Sequence, residues 1–212
     1  MSDAFLGWYF ARPDECLDHS DGREIVLGET HKVDDPPILC IRGLHASLTV
    51  LSALSYAQSA ILYRVSLGGT IVHGLGKSCA TERTYLSCLD ATSILRKFAR
   101  ECALSVIDLW NAPSVVRRYL TTGDEEYRAD ANAAAWDAEV AARSAKVASW
   151  AAARSAAWST ERTTSTTWAA AEAAAWAAAA APKNFDKHRL EQMALDAINE
   201  APTQKHAQFS QR

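Results

Sequence analysis

The chain has no excess of basic charge. Its 212 residues carry 22 Lys and Arg against 25 Asp and Glu, for a formal charge of −3, and the basic residues are dispersed. There is no electrostatic footprint for a nucleic-acid backbone, so no nucleic-acid partner is expected. Cysteine is sparse as well: Cys16, Cys40, Cys79, Cys88 and Cys102 form an odd set without a dense framework. A reduced, cytoplasmic chain is expected rather than a disulfide scaffold. The N-terminus lacks a basic region followed by an apolar run, which argues against a secretory leader. The longest Ala/Trp run, residues 168–181, is too short to span a bilayer and is interrupted by Glu172, so no membrane association is expected.

Complete catalytic and metal motifs are missing too. Gly76, Lys77 and Ser78 match the end of a phosphate loop, but Ile71 stands where that motif needs its first glycine. His31, Cys40, His45, His73 and Cys79 are zinc-type ligands whose spacing fits no closed site, so no metal is expected.

The sequence is rich in alanine and tryptophan towards its C-terminal end. Composition shifts near residue 110, and alanine fills 25 of the 51 positions from 131 to 181, a strong helical bias. Within this stretch Trp136, Trp150, Trp158, Trp168 and Trp176 are separated by 14, 8, 10 and 8 residues. At about 100° per residue they share one helical face. Each buried indole removes on the order of 200 Å² from water, so the row needs a covering surface. That cover is either the rest of the chain or a protein partner, including a second copy in a homo-oligomer. Thr160 to Thr167 is poor in helix propensity and is the place where the long element can fold back.

The expected architecture is α+β. A small mixed head spans residues 1–89, a helical region spans 90–200 with its long Ala/Trp helix at about 124–181, and a disordered tail occupies 201–212. In the head, the aromatic run Phe5 to Phe10 reads as a strand ended by Pro13. Arg23 to Leu27 and Thr30 to Val33 read as a hairpin, and Ile38 to Ile41 as a short strand. Arg42 to Ser47 reads as a turn, with Ser47 capping a helix to about Tyr56. Ala60 to Leu67 reads as a strand bulged at Gly68 and Gly69 and resumed over Thr70 to His73, and Thr81 to Leu86 as another. Helices are expected from about Asp90 or Ser93 to Trp110, over Ser114 to Leu120, and from Asp186 to Asn199.

Two groups of head residues stand out. His45, on a tight segment with Cys40 and Ser47 nearby, either faces a ligand or bonds the backbone and holds the chain in place. Lys77 and Arg83 are simple cations able to hold an anion, or else solvated loop residues.

The strings LCIRGLHAS (39–47), ALSYA (53–57), LYRVSLGGTIV (62–72) and LGKSCATER (75–83) resemble a family of uncharacterised phage and prophage proteins. Its pattern runs from a cysteine before G-[FL]-H-A, through a helix ending in tyrosine and a Y-x-V-x-L-x-G strand, to a lysine before C-A-T or V-A-T. The resemblance covers about residues 5–90 and implies an accessory protein in the host cytoplasm, acting through binding and assembly. The segment is also similar to the part of ADP-ribosyltransferase-like folds that shapes a nicotinamide pocket. That likeness implies NAD or a related nucleotide as ligand, with His45, Ser47 and Tyr56 lining the pocket. Where those folds open with H-G-[ST], this chain has Trp8, Tyr9 and Phe10, and no glutamate marks a catalytic strand, so binding is favoured over catalysis. From Asp90 onward, D-A-T-x-x-L-x-x-F-A-x-x-C-A followed by alanine-rich sequence is similar to a bacterial immunity-protein family of helical bundles.

Overall fold

The computed structural model describes residues 5–17, 21–109, 111–142, 185–186 and 188–200. In chain order the elements are β1 (Phe5–Phe10), β2 (Thr30–Lys32), β3 (Leu44–Ser47), α1 (Val50–Leu54), β4 (Ile61–His73), β5 (Lys77–Asp90), α2 (Thr92–Leu104), α3 (Ser114–Thr122), α4 (Arg128–Ala142) and α5 (Arg189–Glu200). The protein is therefore mixed α/β, with a five-stranded antiparallel sheet. Its contacts divide it into two compact units. One holds the residues through Ala91 and those from Leu190 onward, and the other holds Thr92–Arg189.

The sheet is organised by the hairpin of β4 and β5, paired from Ile61 opposite Asp90 to His73 opposite Ser78. Along β4, Ile61, Tyr63, Val65 and Leu67 are buried at every second position and join one apolar cluster. Full burial of an aliphatic side chain of this size contributes about 1.5–3 kcal/mol. Strand β1 lies on the other edge of β4, with Phe5 opposite Leu67 and Phe10 opposite Leu62. The outer edge of β5 carries β3, with Leu44 opposite Ala80, and then β2, with His31 opposite Arg83. Because β1 also pairs with β3 at Trp8 and Ser47, the pairings run β1, β4, β5, β3 and back to β1.

Two local features permit this closure. The register of β4 on β5 shifts between Gly68 and Ile71, and such bulges add bend and twist. At Gly7 an added Cβ would stand 2.9 Å from the Ala46 Cβ and 3.0 Å from the Ser47 carbonyl oxygen, so the approach of β1 to β3 requires glycine there.

Several expectations are corrected. Arg23 to Leu27 is not a strand: it keeps one bridge, Glu24 to Cys16, while Thr30–Lys32 pairs with β5. The long β5 edge offers a full ladder that the local hairpin cannot match. Ile38 to Ile41 is a turn closed by the Ile38 to Arg42 bridge, with Cys40 at φ 66°. The GLHAS segment contributes strand β3, not a turn, and the helix cap is Thr49, whose hydroxyl accepts from the Ser52 amide. Strand β5 starts at Lys77 and reaches Asp90, well beyond the expected 81–86.

In the second unit, α2 ends at Leu104 and gives way to a 3-10 turn over Ile107–Leu109 instead of continuing to 110. Gly123, at φ 70°, ends α3 in the left-handed conformation, a common helix stop. Asp124 then caps a 3-10 turn by accepting from the Glu126 amide, and α4 follows. Val116, Tyr119 and Leu120 of α3 cluster with Ala131 and Ala135 of α4, and Trp136 is half-buried against them. Trp150, Trp158, Trp168 and Trp176, the segment 160–167 and the tail 201–212 lie outside the described residues. Among the described residues no helix is long and apolar enough to cross a membrane.

Candidate functional site

Strands β1, β3 and β5, residues 40–43 and α1 line an open cavity of about 490 Å³ in the first unit. His45, Ser47, Tyr56, Lys77 and Arg83 all line it, so five residues spread over 39 positions of sequence border one cavity. Antiparallel pairing brings them together: His45 is opposite Cys79, and Ser47 is opposite Lys77. On β5, the register shift opposite Gly68 to Ile71 falls between Lys77 and Arg83, and both side chains nevertheless line the cavity.

Arg83 is the most constrained of the five. It is 2 % exposed, yet its guanidinium lies 3.8 Å from the ring centre of Tyr9 and 5.1 Å from that of Tyr85. Nη1 donates to the His45 carbonyl at 2.6 Å, while Nε and Nη2 donate to the Tyr85 hydroxyl at 3.1 and 2.8 Å. With two donors filling its lone pairs, the Tyr85 hydroxyl turns its own proton to Nδ1 of His31, 3.0 Å away. His31 is thus a neutral acceptor. Burial, and then the charges of Arg23 and Arg83, hold its pKa below the ordinary imidazole value.

His45 sits at the heart of the wall. Its Nε2 accepts from the Cys40 amide at 3.2 Å, which ties the positive-φ Cys40 turn to β3, so the backbone-holding role weighed for this residue is present. Its carbonyl at the same time orients Arg83. Ser47 is buried in β3 beside Trp8, not at a helix terminus. Tyr56 follows α1 and is 54 % exposed, with the Lys77 ammonium 4.1 Å from its ring centre. Burial pulls the Lys77 pKa down, but contacts to Cys40 and Tyr56 outweigh it and leave the group raised and cationic.

Sequence reasoning missed three participants: Tyr9, which stacks on Arg83, and Tyr85 and His31, which position it. The signal for Tyr85 was its two-residue offset from Arg83 on one strand face. His31 needed the β2 to β5 pairing, which has no local signature. Among the described residues lining the cavity the one acid is Asp21, which is ion-paired with Arg23 at 2.6 Å. The histidines do not converge: His73 contacts Ser78 at 2.9 Å, and no group of three potential metal ligands forms among the described residues.

Chemically, the cavity lining offers three cations, Arg42, Lys77 and Arg83, of which Arg42 is paired with Asp35, together with the rings of Tyr9 and Tyr56 and the buried Ser47 hydroxyl, a set suited to an anionic ligand with a flat group. Comparison of the chain with protein-family models, with curated proteins and with solved structures finds no match.

Proposed function

We propose that this is a phage-type accessory protein that acts by binding, and that its α+β unit holds a nucleotide, NAD or ADP-ribose, in the cavity beside His45. The observation that carries the reading is the convergence of His45, Ser47, Tyr56, Lys77 and Arg83 on one cavity of nucleotide scale. Binding is favoured over group transfer because the only acid in the described lining is already held by Arg23. A transferase of this kind needs a carboxylate poised at the reacting carbon.

Calorimetric titration with NAD and with ADP-ribose tests the proposal. Saturable heat with either, at one site per chain, is the expected result. No heat from either at millimolar ligand removes the reading.

The Ala/Trp segment is proposed as the protein-contact part of the same chain, toward a partner such as an immunity target or a second copy. Trp136 is already half-buried against the cluster formed by α3 and α4, so the proposed contact is assigned to the later indoles. Trp158→Ala combined with Trp168→Ala should shift sedimentation toward the monomer. A wild-type chain that already sediments as a monomer, and is unchanged by the double variant, removes that role.

A further inference from the structure

We propose that Arg83 is the seat of the ligand's acidic group, a phosphate or carboxylate that enters the cavity as the counter-ion the fold itself does not supply. The inference deepens the ligand-site reading above and rests on it.

A guanidinium is permanently charged, and a charge withdrawn from water is costly unless it is paired. Arg83 is 2 % exposed, and everything that holds it is neutral: the His45 carbonyl, the Tyr85 hydroxyl and the faces of Tyr9 and Tyr85. Among the described residues no carboxylate reaches it. Even the nearby His31 is kept as a neutral acceptor, so no group of the relay offsets the charge. The cation is positioned without being neutralised.

Its remaining hydrogen-bonding capacity matches one class of partner. Of five N–H groups, Nε uses one, Nη1 one and Nη2 one. One N–H is left on each terminal nitrogen, donors suited to the oxygens of an oxyanion. The three bonds and the stacked ring of Tyr9 fix the guanidinium before a ligand arrives, which lowers the ordering cost of binding. Lys77, six residues earlier on β5, lines the same cavity. It is a second cation with an aromatic neighbour. A ligand seated at Arg83 can extend along the cavity toward Lys77 and Tyr56.

The test titrates the full chain, at fixed ionic strength, with ADP-ribose, adenosine, inorganic pyrophosphate and malonate, and then repeats ADP-ribose on Arg83→Lys. The expected pattern has three parts. One of the two simple anions binds and displaces ADP-ribose, its identity separating phosphate from carboxylate recognition. Adenosine is silent. The lysine variant, which keeps the charge but loses the fork, binds ADP-ribose about tenfold more weakly or worse.

Adenosine binding as tightly as ADP-ribose, or ADP-ribose binding that neither anion displaces, overturns the Arg83 seat while leaving the nucleotide reading standing. Anion binding without ADP-ribose binding supports the seat and overturns the nucleotide. Silence from all four overturns both. If Arg83→Lys does not fold, the competition on the wild-type chain decides.

Discussion

Glu191 holds the cavity wall from behind through Trp8: one carboxylate oxygen accepts from the Trp8 indole N–H and the other from the Val50 amide at 2.8 Å. Trp8 is fully buried and lines the cavity, and Val50 opens α1. A single side chain of α5 thus fixes both the β1 wall and the helix that leads to Tyr56. The Arg64 guanidinium, 4.6 Å from the Trp8 ring centre, covers the indole.

Removing this contact leaves a buried indole donor and a helix-start amide unpaired. Glu191→Ala should therefore cost about 1–3 kcal/mol in urea unfolding. It should also weaken ligand binding, because Trp8 and α1 are released together. A loss under about 0.5 kcal/mol, ordinary for a surface change, would show that the carboxylate does not hold the wall.

Gly7→Ala places a methyl group 2.9 Å from the Ala46 Cβ, where neither strand has room to yield. The expected destabilisation is about 1–3 kcal/mol, as for other overpacked interiors. Chemical denaturation measures it, and a neutral result would contradict the β1 to β3 closure.

His31 predicts the direction of a pH effect. Its folded pKa lies below the ordinary 6.5, chiefly because burial disfavours the charged imidazole and then because Arg23 and Arg83 repel a further positive charge, against weaker pulls from Asp21 and Glu29. The unfolded chain therefore binds the proton more readily. The neutral-His31 contribution to stability is fully present above about pH 6.5 and is lost as pH falls from there toward the folded pKa. His31→Gln keeps an acceptor for Tyr85 and removes the titration. Melting temperatures at pH 5.5 and 7.5 should differ less in this variant than in wild type, and an equal difference would remove His31 from the account.

In the helical unit, Gly123→Ala should cost about 1–2 kcal/mol, since φ 70° is unfavourable for an L side chain. The new Cβ would also sit 2.5 Å from the Arg100 guanidinium. Thermal unfolding checks this, and no loss would mean that the α3 terminus is not left-handed in solution.

How much of this was legible in the sequence depends on the range of the interactions concerned. Strand β1, the bulged β4, the helix over 114–120 with its break at Gly123, and the C-terminal helix follow from alternation, caps and breakers, all of them local. The GLHAS segment was misread because its Gly and His suggest a turn, whereas pairing with β5 on one side and β1 on the other makes 44–47 a strand. The same non-local edge took Thr30–Lys32 away from its neighbour Arg23 to Leu27. Among the candidate site residues, His45, Ser47, Lys77 and Arg83 are singled out by their chemistry, and Tyr56 only by what the family resemblance implies. Their common cavity, and the Tyr9, Tyr85 and His31 shell around Arg83, arise only from strand register.

The most direct test of the central claim, that these residues form one ligand site, is a titration of the isotope-labelled chain with ADP-ribose followed by amide NMR. The account predicts saturable shifts concentrated at His45, Ser47, Lys77, Arg83 and Tyr85, with α3 and α4 unmoved. Shifts confined to the helical unit, or none at saturating millimolar ligand, would contradict it.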